Sequence, residues 1–174
     1  WIGYMPPIED LQTPISRFAT QIYSADGQLL GTWNYNRENR VMVDYNKIAP
    51  SLIQALVATE DVRFYDHSGV DFIALARAIG ERGIVGQKSA GGGSTITQQL
   101  AKQLYSDQAH STVERLLQKP IEWVIAVKLE RTYTKDEIIT MYLNYFDFLH
   151  NAVGIKTAAN TYFSKEPKDL SVTE

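Results

Sequence analysis

Two glutamates and one glycine-rich loop carry the residue types from which chemistry could be built. In "APSLIQALVATEDVRFYDHSGVD", Ala49, Leu52, Ile53, Leu56 and Val57 repeat at i, i+3 and i+4, the spacing of an apolar helix face. Glu60 is the next position on that face, four residues after Leu56 and three after Val57. A carboxylate there meets desolvation and the negative end of the helix dipole, and both raise its pKa. That is how a glutamate becomes a general acid or base near neutral pH. The alternative is a solvated glutamate at a fraying helix end, with Asp61 beside it as a second surface charge. Further on, Asp66, His67 and Asp71 in "DHSGVD" would orient a turn by side-chain hydrogen bonds. A lone histidine without a matched partner disfavours a metal there.

The loop and helix "SAGGGSTITQQLAK" (Ser89 to Lys102) place three glycines directly ahead of a Ser-Thr pair. Such backbone approaches bulky groups closely or turns its N–H groups to an anion. It matches neither a Walker A loop, having no lysine between Gly93 and Ser94, nor a dinucleotide fingerprint, since no strand feeds it. Ile96, Leu100 and Leu104 form a buried stripe, and Thr95, Gln98, Gln99 and Lys102 share another face. Hydroxyls, amides and an ammonium in that pattern suit a polar, oxygen-rich, anionic ligand. A glycine-rich surface loop with a solvated helix face fits the same spacing.

The second glutamate, Glu122, follows Lys119 by three residues, so the two are neighbours on a helix. An exposed ion pair explains that spacing as well as a site does. Pro120 is expected in the first turn of its helix, where its missing N–H costs nothing. "TKDE" (Thr134 to Glu137) is a capping box opening the next helix, whose buried face would hold Ile138, Met141, Tyr142 and Tyr145. Tyr142 and Asn144 either reach a site or pack.

The elements that must position these residues are mainly helical. The N-terminal fifth reads as extended: an Asp26-Gly27 turn joins two apolar runs in a hairpin, and "RVMVDY" is a further strand candidate. From Pro50 onward the pattern is helical, interrupted by "GERGIVGQKSAGGGS" (80–94), which reads as a mobile loop. At 174 residues, 44% apolar and 21% charged, the chain can bury one real core. A net charge of −3 argues against nucleic acid. Cysteine is absent, so disulfides and thiolate metal sites are excluded. No run approaches the ~20 apolar residues of a membrane-spanning helix, and no signal peptide is visible. The start lacks an initiator methionine and the end, "SVTE", has the form of a capping box that opens a helix. The expectation is a piece cut at both ends: a lead-in over 1–45 following a missing membrane anchor, then a domain over 46–174 short of its C-terminal end.

Taken together, "ATEDVRFYDHSGVD", "GGGSTITQQLAKQL", "KPIE", "KDEIITMYLN" and "GIKTAANTYF" resemble, in order, the five motifs of one family. It is the peptidoglycan glycosyltransferase domain of class A penicillin-binding proteins, family 51 of the glycosyltransferases. The match runs from about Pro50 to Lys165, and the first two motifs are long and specific. The resemblance implies a lysozyme-like, mainly α-helical, two-lobed fold with a small extended N-terminal segment. It implies polymerisation of lipid II into β-1,4-linked glycan strands with inversion at the anomeric carbon and release of undecaprenyl pyrophosphate. Glu60 would be the base that takes the proton from the acceptor's 4-hydroxyl. Gly93, Ser94, Thr95, Gln98, Gln99 and Lys102 would hold the donor's sugar–pyrophosphate. Lys119 and Glu122 would assist the departing pyrophosphate. A divalent cation, Mg2+ or Mn2+, is left open near Glu122, and no organic cofactor is implied. Asp61, Phe64 and His67 complete the first motif as scaffold, and Tyr142 and Asn144 support the groove. Implied partners are lipid II, the growing glycan strand, the cytoplasmic membrane on its extracytoplasmic (periplasmic) side, and a transpeptidase domain in a longer parent. Moenomycin is the family's expected inhibitor.

Four residues depart from the family pattern: Gln118 where arginine is expected before Lys119, Leu149 and His150 in place of a glycine-rich run, and Gln103 in place of asparagine. The first removes a fixed positive charge facing the pyrophosphate. Two alternatives share the architecture. A lysozyme-like lytic enzyme would need one acid glutamate or a close acid–nucleophile pair, and no pyrophosphate-gripping lysines. A non-catalytic module would bind glycan or lipid precursors through a decayed groove.

Overall fold

The computed structural model describes residues 20–33, 41–83, 93–105 and 112–174. Most of the loop expected over 80–94 lies outside the described residues. Its start, Gly80 to Gly83, is helical.

The expected hairpin is present: β1 (Thr20–Tyr23) pairs antiparallel with β2 (Leu29–Trp33), Thr20 opposite Trp33. Its turn is closed by Gly27 N–H donating to Ser24 O at 2.9 Å, while Ser24 Oγ donates to Asp26 and accepts the N–H of Gln28. The second strand expectation is corrected. Residues 41–44 form no strand, because the peptide at Val43 is satisfied by a side chain. Val43 N–H donates to Asn144 Oδ1 at 2.9 Å and Val43 O accepts from Asn144 Nδ2 at 2.9 Å. The Asn144 amide thus does what a neighbouring strand would do.

Six helices follow among the described residues: α1 (Pro50–Glu60), α2 (Phe72–Gly83), α3 (Ile96–Tyr105), α4 (Thr112–Thr132), α5 (Lys135–Tyr145) and α6 (Ile155–Phe163). The chain is mainly helical, as expected. Proline opens α1 at its first position. Asp71 caps α2, its Oδ1 accepting the N–H groups of Ile73 and Ala74, each at 3.0 Å. The Thr134–Glu137 capping box forms ahead of α5: Glu137 N–H reaches Thr134 Oγ1 at 3.3 Å, and Thr134 N–H reaches Glu137 Oε2 at 2.7 Å. At the C-terminal "SVTE", Ser171 N–H donates to Glu174 Oε2 at 2.9 Å, the glutamate half of such a box, within a turn.

Pro120 is a second correction. It sits inside α4 rather than in its first turn. Interior proline removes a hydrogen bond and costs ~3 kcal/mol. The helix runs through it because the next turns bury Glu122, Ile125, Ala126 and Leu129 on one face while Pro120 itself faces out.

The described residues divide into two compact units, one within Gln54–Ile138 and the other of those from Thr20 to Ile53 together with Ile139–Glu174. The first is cored by Phe64, Ile96, Leu100, Ala101, Ile125, Ala126 and Leu129, all at or near zero exposure. Gly69 makes its close packing possible. Its φ is +99°, and a Cβ there would lie 2.8 Å from the backbone C and O of Ala126. The second unit buries Val43, Ile48, Ile139, Tyr142, Leu143, Ile155 and Ala159.

Candidate active site

The site grows from the C-terminal end of α1, where two adjacent carboxylates meet opposite surroundings. Asp61 is buried. Its Oδ2 accepts the N–H of Ile96, the first residue of α3, at 3.0 Å, and His67 Nε2 at 2.9 Å. Gly69 N–H donates to His67 Nδ1 at 3.2 Å, so Nε2 is the nitrogen that carries the proton toward Asp61. One carboxylate therefore fastens the end of α1, the following turn and the N-terminus of α3, where its negative charge also suits the helix dipole. Phe64, fully buried, closes the turn from inside, with the Lys135 ammonium 4.3 Å from its ring centre.

Glu60 faces outward. The apolar face on which it was expected to be desolvated ends before it: Leu56 and Val57 are half-buried, and Ala58, Thr59 and Glu60 are exposed. Its carboxylate is nevertheless oriented, because Gln99 on α3 donates its side-chain amide to Glu60 Oε2 at 3.0 Å. Glu60 and Gln99 line a pocket of about 370 Å³ whose wall also carries Ser94, Arg63, Asp71 and Arg77.

The α3 residues divide in a way their shared face did not suggest. Thr95 and Gln98 are buried and form a capping box: Gln98 N–H donates to Thr95 Oγ1 at 3.1 Å and Thr95 N–H to Gln98 Oε1 at 3.2 Å. Thr95 Oγ1 donates to Gly69 O at 2.6 Å, which ties the cap to the Gly69 turn. These contacts show that both side chains help to build the start of α3, and Thr95 also lines the pocket. The Thr-x-x-Gln spacing, ahead of an apolar stripe, is the signal that identifies them. Gly93 and Ser94 stay half-buried at the pocket, Gln99 reaches Glu60, and Lys102 is exposed.

Glu122 is not part of an exposed ion pair. It is 3% exposed, and Lys119 Nζ lies 2.9 Å from its Oε2 and 3.3 Å from Ser94 Oγ. Since the Lys119 side chain is 44% exposed, its ammonium joins a buried carboxylate to a hydroxyl at the pocket and stays open to a ligand. Gln118 is half-buried beside it. The donor set at Glu122 does not fit a protein-made metal site, for among the described residues no three His, Asp or Glu side chains gather as ligands.

Tyr142 and Asn144 belong to the second unit and are built into its core. Tyr142 packs against Phe146 with ring centres 5.2 Å apart, and Asn144 holds Val43.

Several contributors escaped sequence reasoning. Thr97 Oγ1 donates to Glu130 Oε1 at 2.6 Å, and Lys135 Nζ bridges Glu130 Oε1 at 2.8 Å and His67 O at 2.7 Å. These contacts span residues far apart in sequence, and no local spacing announces them. Arg63 and Arg77 at the pocket were missed for the same reason.

Comparison with known proteins fits this geometry. The transglycosylase family profile matches residues 26–174. The chain belongs to the transglycosylase family. Among similar proteins, penicillin-binding protein 1F of Bacillus subtilis (strain 168) is 44% identical over 137 residues, covering 79% of this chain and 18% of that protein. Penicillin-binding protein 1A of Escherichia coli (strain K12) is 37% identical over 170 residues, 98% of this chain and 19% of that protein. Penicillin-binding protein 1A of Aquifex aeolicus (strain VF5) is 41% identical over 160 residues, 90% of this chain and 20% of that protein. This transglycosylase chain therefore spans about a fifth of the length of these relatives.

Proposed function

We propose that this transglycosylase domain polymerises lipid II into β-1,4-linked glycan strands, inverting the anomeric carbon and releasing undecaprenyl pyrophosphate. The observation that carries the reading is the Gln99-oriented Glu60 carboxylate, sharing a pocket with a Ser94 hydroxyl that touches the Lys119 ammonium. Glu60 takes the proton of the acceptor's 4-hydroxyl as that oxygen attacks the donor's anomeric carbon. The C–O bond to pyrophosphate breaks on the opposite side, and negative charge accumulates on the departing group. Lys119 and Ser94 stabilise that charge, with Lys102 as a further cation on α3. Buried Glu122 holds Lys119 in place. Glu60 is exposed in the free protein, so its carboxylate is open to the incoming hydroxyl.

Against the lytic alternative stands the part-exposed Lys119 ammonium at Ser94, which suits a charged leaving group, and Glu122 is buried rather than presented as a second free carboxylate. The transglycosylase family and relatives named penicillin-binding proteins support a place in cell-wall synthesis, and the motif resemblance implies the outer face of the cytoplasmic membrane beside a transpeptidase domain. The test is lipid II polymerisation by wild type and Glu60→Gln. Strands from the wild type alone support the reading. Equal product from both removes Glu60 from the chemistry, and no product from the wild type overturns the reaction.

A further inference from the structure

Three side chains outside the pocket make directed contacts that the reaction as proposed does not use. Thr97 on α3, Glu130 on α4 and Lys135, the first residue of α5, meet at one oxygen, and none of them lines the pocket. Glu130 Oε1 accepts the Thr97 hydroxyl at 2.6 Å and the Lys135 ammonium at 2.8 Å. The same ammonium donates to His67 O at 2.7 Å and stands 4.3 Å from the Phe64 ring centre. Thr97 is fully buried, and the Glu130 side chain is 5% exposed.

Both arms of this bracket end on the supports of Glu60. One runs from Lys135 to the His67 peptide, and the His67 ring holds Asp61, the residue after Glu60. The other runs from Glu130 to Thr97, two residues before Gln99, whose amide orients Glu60. At 3.6 residues per turn, Thr97 and Gln99 point about 200° apart. The helix is therefore held from one side and presents Gln99 on the other.

Apolar packing is a weaker means of setting that angle. Ile96, Leu100 and Ala101 are fully buried, but burial is non-directional and constrains the rotation of α3 less sharply than a directed bond. A hydrogen bond to a buried carboxylate is both directional and charge-assisted. Side-chain tips lie about 5–6 Å from a helix axis, so a rotation of about 10° moves one by roughly 1 Å. That is enough to lose the 3.0 Å contact between Gln99 and Glu60.

We propose that Thr97, Glu130 and Lys135 are positioning residues for glycan transfer, fixing the rotation of α3 at which Gln99 aims the Glu60 carboxylate. The proposal rests on the glycan-polymerising reading above and deepens it. The aim of the base is set by three helices through residues that do not touch substrate.

Thr97→Val tests it, since valine keeps the shape of threonine and leaves Glu130 paired with Lys135. With lipid II as substrate, kcat is expected to fall about tenfold while KM changes by less than about twofold. Thr97→Ser, which restores the hydroxyl, should recover most of the loss. Added to Gln99→Leu, Thr97→Val should cost little more, because both act on the same carboxylate. A second readout needs no catalysis. The Gln99 side-chain amide signal in the NMR spectrum should move in Thr97→Val toward its position in Glu60→Ala, where the contact is gone, and return in Thr97→Ser. Lys135→Met, which breaks the other arm, should move it the same way. A Gln99 signal that stays in place in both variants overturns the proposal. So does a lower unfolding temperature with kcat unchanged, a loss that Thr97→Ser does not recover, or losses that multiply with Gln99→Leu. A signal that moves as expected in a protein that makes no glycan keeps the bracket and overturns the reaction instead.

Discussion

Gln99 donates its side-chain amide to Glu60 Oε2 across 3.0 Å, while the residue after Glu60, Asp61, accepts the N–H of Ile96 at the start of the same helix. Two neighbouring carboxylates are thus tied to α3, one exposed at a pocket and one buried beneath it. The exposed tie orients a reacting group and the buried one holds the fold.

Replacing Gln99 with leucine separates these roles. The lost hydrogen bond is exposed, so stability should fall by no more than ~1 kcal/mol. Glycan synthesis should drop about tenfold because the base is no longer aimed. Turnover equal to wild type would show that Glu60 finds its position without the amide.

Asp61→Asn should behave in the opposite way. Asparagine keeps the volume but loses the charged acceptor shared by His67 and the Ile96 N–H. Hydrogen bonds to charged groups are worth ~1.5–3 kcal/mol, so a loss of about 2–3 kcal/mol is expected by urea denaturation. A change under ~0.5 kcal/mol, the scatter of surface substitutions, would mean that Asp61 does not hold α3.

The mainly helical architecture, the hairpin and the Thr134–Glu137 cap were legible because each is written in local spacing. So was the neighbour relation of Lys119 and Glu122. What spacing could not give was which side faces in. Periodicity put Glu60 on an apolar face, yet the helix ends at that residue and the face opens onto a pocket. It left the Lys119–Glu122 pair looking solvated, although packing through α4 buries Glu122. It grouped Thr95 and Gln98 with Gln99 and Lys102, but the first two are buried and tied together in the cap that opens α3. The strand expected near Val43 failed because Asn144, about a hundred residues away, supplies its hydrogen bonds.

Lys119→Met should be costly despite the exposure of Lys119. It leaves the Glu122 carboxylate buried without its cation, and breaking such a pair costs ~3–5 kcal/mol when both partners are buried. Here the lysine is 44% exposed, so water replaces part of the loss and about 1–2 kcal/mol is expected. Adding Glu122→Gln should recover part of that stability without recovering glycan synthesis. If the double variant is no more stable than Lys119→Met, the buried charge is not the source of the cost.

Gly69 offers a packing test with an internal control. A Cβ at Gly69 meets the Ala126 backbone at 2.8 Å, whereas at Gly27, with φ of +82°, it meets nothing within 4 Å. Gly27→Ala should cost only the backbone strain of about 1 kcal/mol. Gly69→Ala adds a clash with an immovable helix backbone, and ~3 kcal/mol or more is expected. Equal melting temperatures for the two variants would mean that α4 yields.

Acid should expose the role of Asp71. Burial alone would raise its pKa, but the Ala74 N–H, Arg63 (Nε 3.3 Å from Asp71 Oδ2), the Ile73 N–H and His67 together bring it below its ordinary value of 3.8 in the folded protein. A depressed carboxylate stabilises the fold above its unfolded pKa, and that contribution is lost as pH falls through the folded value. Asp71→Asn retains a side-chain oxygen for the α2 cap but cannot be charged toward Arg63. The stability gap between wild type and Asp71→Asn should therefore be widest above about pH 5 and shrink as pH falls below the unfolded pKa. Urea midpoints measured across that range decide it. A gap that stays constant would assign the cost to altered cap geometry rather than to charge, and would remove the anionic support on which the Arg63 guanidinium rests.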